Sequence, residues 1–238
     1  NQVVLKMIMI LVHFAPYGIF CLLAKLFAET GVSIFGDLAV YFLTVLGVLL
    51  VQCLLVYPSI LKAFTRLSPI IFLRKMYPVR VFGFSTASSN ATLPVTLRTV
   101  ESKLGVDNKV ASFTIPLGAT INMDGTAIMQ GVATVFIAQA YGLDVGVLGY
   151  LMVVLTATLA SIGAAGVPGV GMVTLALVLQ QAGLPVEEGI ALIIGVDRLL
   201  DMVRTAVNIT GDATVTTVVA NSESLLDRQT FNTVVPNE

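Results

Sequence analysis

Asn122-Met123-Asp124-Gly125-Thr126 stands in the middle of an apolar run that extends from Val110 to Tyr141. A run of that length can cross about 30 Å of hydrocarbon as a helix. Polar and small residues at its centre are out of place in a plain span. Gly125 permits the non-helical backbone that frees carbonyls, and Asp124 adds a hard anionic oxygen. Irregular backbone at membrane depth is tolerated only where protein buries it or where it lines a wet cavity. Carbonyl and carboxylate oxygens together suit a hard cation such as Na⁺, by the logic that governs Ca²⁺ and Mg²⁺ sites. Taken alone, the motif also fits a turn between two helices.

The interruption recurs on both sides. Ser85-Thr86-Ala87-Ser88-Ser89-Asn90-Ala91-Thr92-Leu93-Pro94 breaks the segment before it, and Ser161-Ile162-Gly163-Ala164-Ala165-Gly166-Val167-Pro168-Gly169 breaks the run from Gly146 to Gly183. Paired interrupted segments are the sequence pointer to a transporter site at the bilayer midplane. The order is an interrupted segment, a helix with a break or acid cluster, then the same pair again. That order predicts a two-fold internal repeat of residues 68–145 and 146–220, in architecture and not in residue identity. Each small-residue tip has the composition of a re-entrant hairpin end. Small residues let helices meet closely, and free N–H groups at helix starts can hold a carboxylate. A packing motif between spans would read the same way. Asn90-Ala91-Thr92 also has the form of a glycosylation acceptor, which Pro94 and the membrane depth disfavour.

Further out lie two plain spans, Met7 to Ala28 and Leu38 to Phe64, with an acidic turn of Glu29, Thr30, Gly31 and Asp37 between them. Positive charge then gathers at Lys62, Arg66, Arg74, Lys75 and Arg80, with no acid from Asp37 to Glu101. The positive-inside rule makes that loop cytoplasmic and puts the acidic turn outside. The whole composition agrees. Of 238 residues, 56% are hydrophobic and 11% charged, against about 45–50% and about 25% in a soluble domain. With a mean hydropathy of +0.93, the chain reads as an integral membrane protein. A net charge of -1 argues against a nucleic-acid partner. Cys21 and Cys53 lie in apolar runs and His13 is the single histidine, which excludes a disulfide framework and a His/Cys zinc site. The chain opens on Asn1-Gln2, without a Met start or a signal peptide; it is expected to be the C-terminal portion of something longer.

The last run, Gly189 to Ala220, carries three Asp, two Arg and an Asn. On a helix with Asp201 at zero, Asp197, Arg198, Arg204, Thr205, Asn208 and Asp212 all fall within about 60° of it. Thr210 lands opposite, among apolar neighbours. One charge at the bilayer centre costs roughly 2.5–3.5 kcal/mol on insertion scales, so a stripe of five must face protein or water. Structural ion pairs among Asp197, Arg198, Asp201 and Arg204 are one reading. They leave Asn208 and Asp212 without a cation on this helix. The other reading is a binding site. Arg204 offers a fork suited to a carboxylate, Asp201 accepts from an ammonium, and Asn208 donates to a second carboxylate. That set matches an acidic amino acid.

Four motifs in order, Ser88-Ser89-Asn90-Ala91-Thr92-Leu93-Pro94, Asn122-Met123-Asp124-Gly125-Thr126, Gly166-Val167-Pro168-Gly169 and Asp201-Met202-Val203-Arg204-Thr205-Ala206-Val207-Asn208, resemble the dicarboxylate/amino acid:cation symporter family. That family comprises the glutamate transporters and their bacterial and archaeal homologues, and the similarity runs from about residue 3 to 225. The resemblance implies an all-α membrane protein with two re-entrant helical hairpins, a broken helix and an inverted repeat. Residues 1–66 would be two scaffold helices, the family's fifth and sixth, and 67–225 the transport core. Within the core the first hairpin would span 68–105, the broken helix 110–143, the second hairpin 146–183 and the last helix 189–220. Residues 226–238 form a tail. It implies Na⁺-coupled symport of aspartate or glutamate by an elevator motion, in a homotrimer within lipid, in a bacterial inner (plasma) membrane.

Carried over by motif, Arg204 takes the substrate side-chain carboxylate, Asp201 the amino group, and Asn208 and Thr205 the α-carboxylate. Thr126 and the backbone at Ser88, Ser89, Val167 and Gly171 complete the substrate set. One sodium site uses Gly118 and Asn122 carbonyls with Asp212 and Asn208. A second uses carbonyls of Thr120, Ser161, Ile162 and Ala164. A third uses Asn122 and Asp124, with its other ligands outside this chain. Two departures stand out. Family members carry a second arginine beside the first hairpin's serines or directly after the ammonium-binding Asp, where this chain has Ala87 and Met202; Arg198, one turn before Asp201, is the candidate replacement. Gln130-Gly131 stands where potassium-exporting animal members place a Glu, so that proton and potassium coupling is expected to be absent.

Rival classes have less support. An intramembrane aspartyl protease would pair two carboxylates, as Asp197/Asp201 or Asp124/Asp212, but the chain has no GxGD beside a YD motif, and no GxSxG or HExxH. A channel or purely structural subunit would show no saturable exchange. Within the family, Asp201 disfavours a C4-dicarboxylate carrier and Arg204 a neutral amino acid carrier.

Overall fold

The computed structural model describes residues 34–233, together with Tyr17, Phe20, Cys21, Ala24 and Ala28 as helical positions before them. The rest of the expected span Met7–Ala28, the start of the acidic turn and residues 234–238 lie outside the described residues. The described chain is helical throughout: α1 Ile34–Val51, a π turn Gln52–Val56, α2 Tyr57–Thr65, α3 Pro69–Lys75, α4 Tyr77–Thr86, α5 Ser89–Ser102, α6 Asn108–Ile121, α7 Asp124–Ala140, α8 Gly146–Ile162, α9 Val170–Gln181, α10 Val186–Ser222 and α11 Arg228–Asn232. The β pairing among the described residues is one isolated bridge, Val106 to Leu226.

Proline and capping chemistry set the boundaries. Pro69 and Pro78 occupy the first turns of α3 and α4, where a missing N–H costs nothing. Ser88 and Asp107 cap α5 and α6 with side-chain oxygens, satisfying orphan amides. Between α4 and α5 the chain turns at Ala87, whose φ is 49°. The apolar run from Val110 to Tyr141 leaves the helix at Ile121 and resumes it at Asp124, with Asn122 and Met123 outside helical geometry.

Helix α10 is the axis of the fold. It packs against α1, α2, α4, α5, α6, α7 and α9. Its 37 residues contain no Pro to interrupt the ladder, and Glu187 and Glu188 complement the dipole at its start. Two hydrophobic clusters share it. Leu192, Ile193, Leu200 and Val207 join a cluster built from α1, α7, α8 and α9. Ile209, Ala213 and Ala220 join one built from α2 to α6 and α11. Asp197, Asp201 and Arg204 lie along the stretch of α10 that joins the first cluster, and Asn208 lies where the two clusters meet.

The opposite faces stay apolar. Gly36–Thr65, 30 residues across α1 and α2, is long and apolar enough to cross a membrane. On α8, Val147 is 80% and Leu148 75% exposed, with Leu151, Val154 and Leu159 beside them. Soluble monomers rarely leave contiguous apolar patches larger than a few hundred Å² in water, so these faces suit lipid or further protein.

At the basic end, α11 folds back under α3. Lys75 Nζ donates to the carbonyls of Lys103 (2.7 Å), Thr230 (2.9 Å) and Phe231 (2.7 Å), and it lies over the Phe231 ring. Burial holds this ammonium below the ordinary lysine range. Three carbonyls depend on one side chain. Lys75→Met is therefore expected to release α11, with amide exchange across Asp227–Phe231 accelerated roughly tenfold. Hydrogen-exchange mass spectrometry of the intact protein checks this; unchanged exchange would assign the anchoring to Phe231 packing together with the Arg228–Thr65 and Asp227–Gly105 hydrogen bonds.

Candidate functional site

The guanidinium of Arg204 is the centre of the site, with a side chain only 1% exposed. Its Nη2 donates to Asp201 Oδ1 at 2.8 Å. Its Nη1 lies 3.1 Å from Asp197 Oδ1, an ion-pair contact outside hydrogen-bond geometry. Both carboxylates are buried on the same helix face. Nη1 and Nε of Arg204 carry no hydrogen-bond partner, and neither does the nearby buried Tyr41 hydroxyl, among the described residues. Gly171, at the start of α9, covers the guanidinium so closely that a Cβ there would lie 3.0 Å from Nη2.

The chain between α8 and α9 reaches the same place. The Gly169 amide donates to Asp201 Oδ2 at 2.9 Å. Gly166 O accepts from Ser88 Oγ (2.7 Å) and from the Asn90 amide (3.1 Å). The Ser88-Ser89 turn and the Gly166–Gly169 turn therefore touch, and both lie against the middle of α10. Arg198, the candidate replacement cation, lies 3.9 Å from Asp201 Oδ2 with its side chain 41% exposed. Ala87 is buried in the first turn, where a long cation would meet packed neighbours.

One to two turns further along α10, the break after α6 meets Asn208 and Asp212. Asn208 Oδ1 accepts from the Gly125 amide at 2.7 Å, and its Nδ2 lies 3.3 Å from Met123 Sδ. Asp212 Oδ1 accepts from Asn122 Nδ2 at 2.8 Å. Gly118 is required here, because a Cβ would come within 2.6 Å of Asp212 Oδ1. The break ends the α6 ladder at this point, the Gly118 carbonyl accepting its last amide, from Asn122, at 2.8 Å. Gly118, Asn122, Asn208 and Asp212 thus form one oxygen-rich cluster whose chemistry fits a hard monovalent cation.

The remaining expected residues divide. Thr126 and Thr205 are buried beside the Arg204 and Asn208 groups, and Thr205 Oγ1 bonds back to Asp201 O at 2.9 Å. Val167 is half-buried in the turn next to Gly166. Gly166 lies against Ala119 O, which brings the end of α6 with Thr120 up to the turn that follows Ser161, Ile162 and Ala164. In that turn the Ala164 amide donates to Ser161 O at 3.1 Å. Thr120 Oγ1 turns back to its own helix, donating to Leu117 O at 2.8 Å.

Asp124 faces elsewhere. Its Oδ2 accepts from Gln52 Nε2 and Tyr57 Oη, each at 3.0 Å. Neither donor belongs to the residue set expected from the sequence, although Gln52 and Pro58 are conspicuous inside an apolar span. Gln130 Nε2 donates to Thr174 Oγ1 at 2.6 Å, joining α7 to α9. Among the described residues no three His, Cys, Asp or Glu side chains converge on a metal position.

Residues 1–222 match the Sodium:dicarboxylate symporter family. The chain is 44% identical over 217 residues to an excitatory amino acid transporter of Caenorhabditis elegans, covering 90% of this chain and 42% of that protein. It is 44% identical over 220 residues to excitatory amino acid transporter 3 of Mus musculus, covering 92% and 42%. With excitatory amino acid transporter 2 of Homo sapiens the identity is 42% over 217 residues, covering 90% and 37%. The chain thus spans about two fifths of the length of the curated relatives it matches.

Proposed function

Because this chain belongs to the sodium:dicarboxylate symporter family, a family of integral membrane transporters and not of enzymes, we propose that the protein couples uptake of an acidic amino acid to Na⁺. One observation carries the reading. Arg204 is buried between two aspartates under Gly171, with Nε unpartnered and Nη1 held only by its ion-pair contact to Asp197. A guanidinium buried without full hydrogen bonding is costly, and a carboxylate ligand supplies the missing acceptors. Arg204 then holds the substrate side-chain carboxylate, Asp201 its ammonium, and Asn208 with Thr205 its α-carboxylate. Thr126 and the backbone at Ser88, Ser89, Val167 and Gly171 close around it. Asp201 already accepts from Gly169, so the same carboxylate that reads the amine also fastens the turn that covers the site.

Na⁺ is carried with the substrate. The Gly118, Asn122, Asn208 and Asp212 cluster holds one ion, the Thr120, Ser161, Ile162 and Ala164 carbonyls a second, and Asn122 with Asp124 a third. Gln130 is neutral and bonded to Thr174, which supports a carrier without proton or potassium exchange at that position. The pairs α4/α5 and α8/α9 serve as re-entrant hairpins of an inverted repeat. Residues 67–225 move as an elevator core against a scaffold that includes residues 1–66, in a homotrimer surrounded by plasma-membrane lipid.

The deciding experiment is uptake of labelled aspartate into proteoliposomes of the full-length protein, driven first by a Na⁺ gradient and then by a pH gradient. Concentrative uptake is expected with Na⁺ alone. Uptake driven by the pH gradient in sodium-free buffer would sink the sodium reading.

A further inference from the structure

A π turn interrupts the long α1–α2 helix at Gln52–Val56. Its cause is local. Pro58 has no amide and its ring would clash with the carbonyl four residues back in an α-helix, so the chain widens just ahead of it. The Tyr57 amide bonds to Gln52 O, five residues back. In an α-helix, residues five apart point about 140° away from each other. The wider turn brings Gln52 and Tyr57 onto one line instead. Both then donate to one oxygen, Asp124 Oδ2, at 3.0 Å. π turns of this kind concentrate at functional sites.

Tyr57 has a second contact. Its hydroxyl lies 2.6 Å from where a Cβ on Gly211 would stand, beside Asn122 Nδ2 at 2.7 Å from the same point. Asn122 in turn donates to Asp212. One phenol therefore bonds Asp124 and lies against the backbone beside Asp212, and the Asn122 side-chain amide approaches the same glycine. Two neutral donors on one Asp124 oxygen fix the carboxylate's orientation and leave its charge uncompensated, with Oδ1 free of them. A carboxylate held in one orientation, with one oxygen not engaged by these donors, has the chemistry of a hard-cation ligand.

We propose that Gln52 and Tyr57, aligned by the π turn, are positioning residues that orient Asp124 for Na⁺. The inference rests on the sodium-coupled reading above and extends it to the helix that precedes the core. Neither side chain needs to touch the ion.

The test is Na⁺ titration of thermal stability on the purified full-length protein, for Tyr57→Phe, Gln52→Leu and the exposed control Thr44→Val, each alone and combined with Asp124→Asn. Loss of one hydrogen bond to the carboxylate is expected to raise the Na⁺ concentration for half-maximal stabilisation roughly tenfold, with Thr44→Val unchanged. In the Asp124→Asn background the same changes should add less than about twofold, because they act through that carboxylate. Gln52 is half-buried in an apolar helix, so Gln52→Leu supplies a second arm of the cycle should Tyr57→Phe fold poorly. A sodium midpoint unaltered by either change, or shifts that are equal with and without Asp124→Asn, would overturn the inference. A wild-type protein that Na⁺ does not stabilise would instead sink the sodium reading, and this inference with it.

Discussion

Arg204→Thr is expected to abolish uptake of aspartate and glutamate, with binding weakened roughly a hundredfold or more. Truncating one partner of a buried, hydrogen-bonded charge pair costs about 2–5 kcal/mol, and Arg204 has two carboxylate partners, Asp201 and Asp197. The same substitution leaves two buried carboxylates on one helix face without their cation, which destabilises the fold as well. Arg204→Lys separates the effects. Lysine keeps the charge between Asp197 and Asp201 but loses the planar fork. It is expected to retain most of the thermal stability and still bind aspartate at least about tenfold more weakly. Neutral amino acids, which do not need the fork, should compete relatively better in both variants. Equilibrium binding of labelled aspartate, with serine and alanine as competitors, reads all of this. Near-wild-type aspartate affinity in Arg204→Lys would make Arg204 an internal ion-pair residue and remove it from ligand recognition.

That outcome is worth testing because both readings of the α10 stripe are open in the sequence. Helical periodicity puts the charges on one face, and the fold buries Asp197, Asp201, Arg204, Asn208 and Asp212 there. Periodicity gives direction around a helix and says little about reach along it. Side chains on a helix lean toward its N-terminus. Arg204 therefore reaches back to Asp201 and, a full turn further, to Asp197. Arg198 leans away from Asp201 and meets it only at 3.9 Å, half in solvent. Adjacency in sequence suggests Asp197 beside Arg198; side-chain direction selects Arg204 instead. Thr210, opposite the stripe, is fully buried too, since α10 has neighbours all round beyond Arg204.

The break at Asn122–Met123 is legible because polar residues and Gly in the middle of an apolar run are costly unless the backbone there departs from a plain helix. Its partners are not legible. Gln52 and Tyr57 are five apart, a spacing that an α-helical wheel separates, and only the widened turn at Pro58 brings them together. Likewise, the closeness of Gly118 to Asp212 depends on how α6 crosses α10, which no local pattern encodes. Close approach of that kind needs a residue without a side chain, and Gly118 alone in α6 could not announce its partner.

Asp212→Asn is expected to raise the Na⁺ requirement roughly tenfold or more and to weaken substrate binding only where Na⁺ is limiting. Asp212 is buried and lies 90 residues from Asn122 in sequence, yet the two are bonded at 2.8 Å. Asn208 stands one turn away on the same helix, joined to Gly125. Asn208 also belongs to the proposed substrate set, so ion and ligand share a rigid connection about one helical turn long. An ion that stabilises this cluster stabilises the substrate-binding arrangement, and linkage makes the effect reciprocal. Losing the carboxylate charge lowers ion affinity, while Asn122 keeps a hydrogen-bond acceptor in the amide that replaces it. At saturating Na⁺ the substrate affinity should then return to within about threefold of wild type, because an occupied site confers the same coupling whatever its dissociation constant. Gly118→Ala provides the independent arm: its methyl would press on Asp212 Oδ1 at 2.6 Å and should reproduce the Na⁺ shift with the acid intact. Isothermal titration of aspartate across a Na⁺ series, for both variants, distinguishes the alternatives. An equal loss of aspartate affinity at every Na⁺ concentration would place Asp212 in the substrate site or the scaffold, and would end its assignment as a cation ligand.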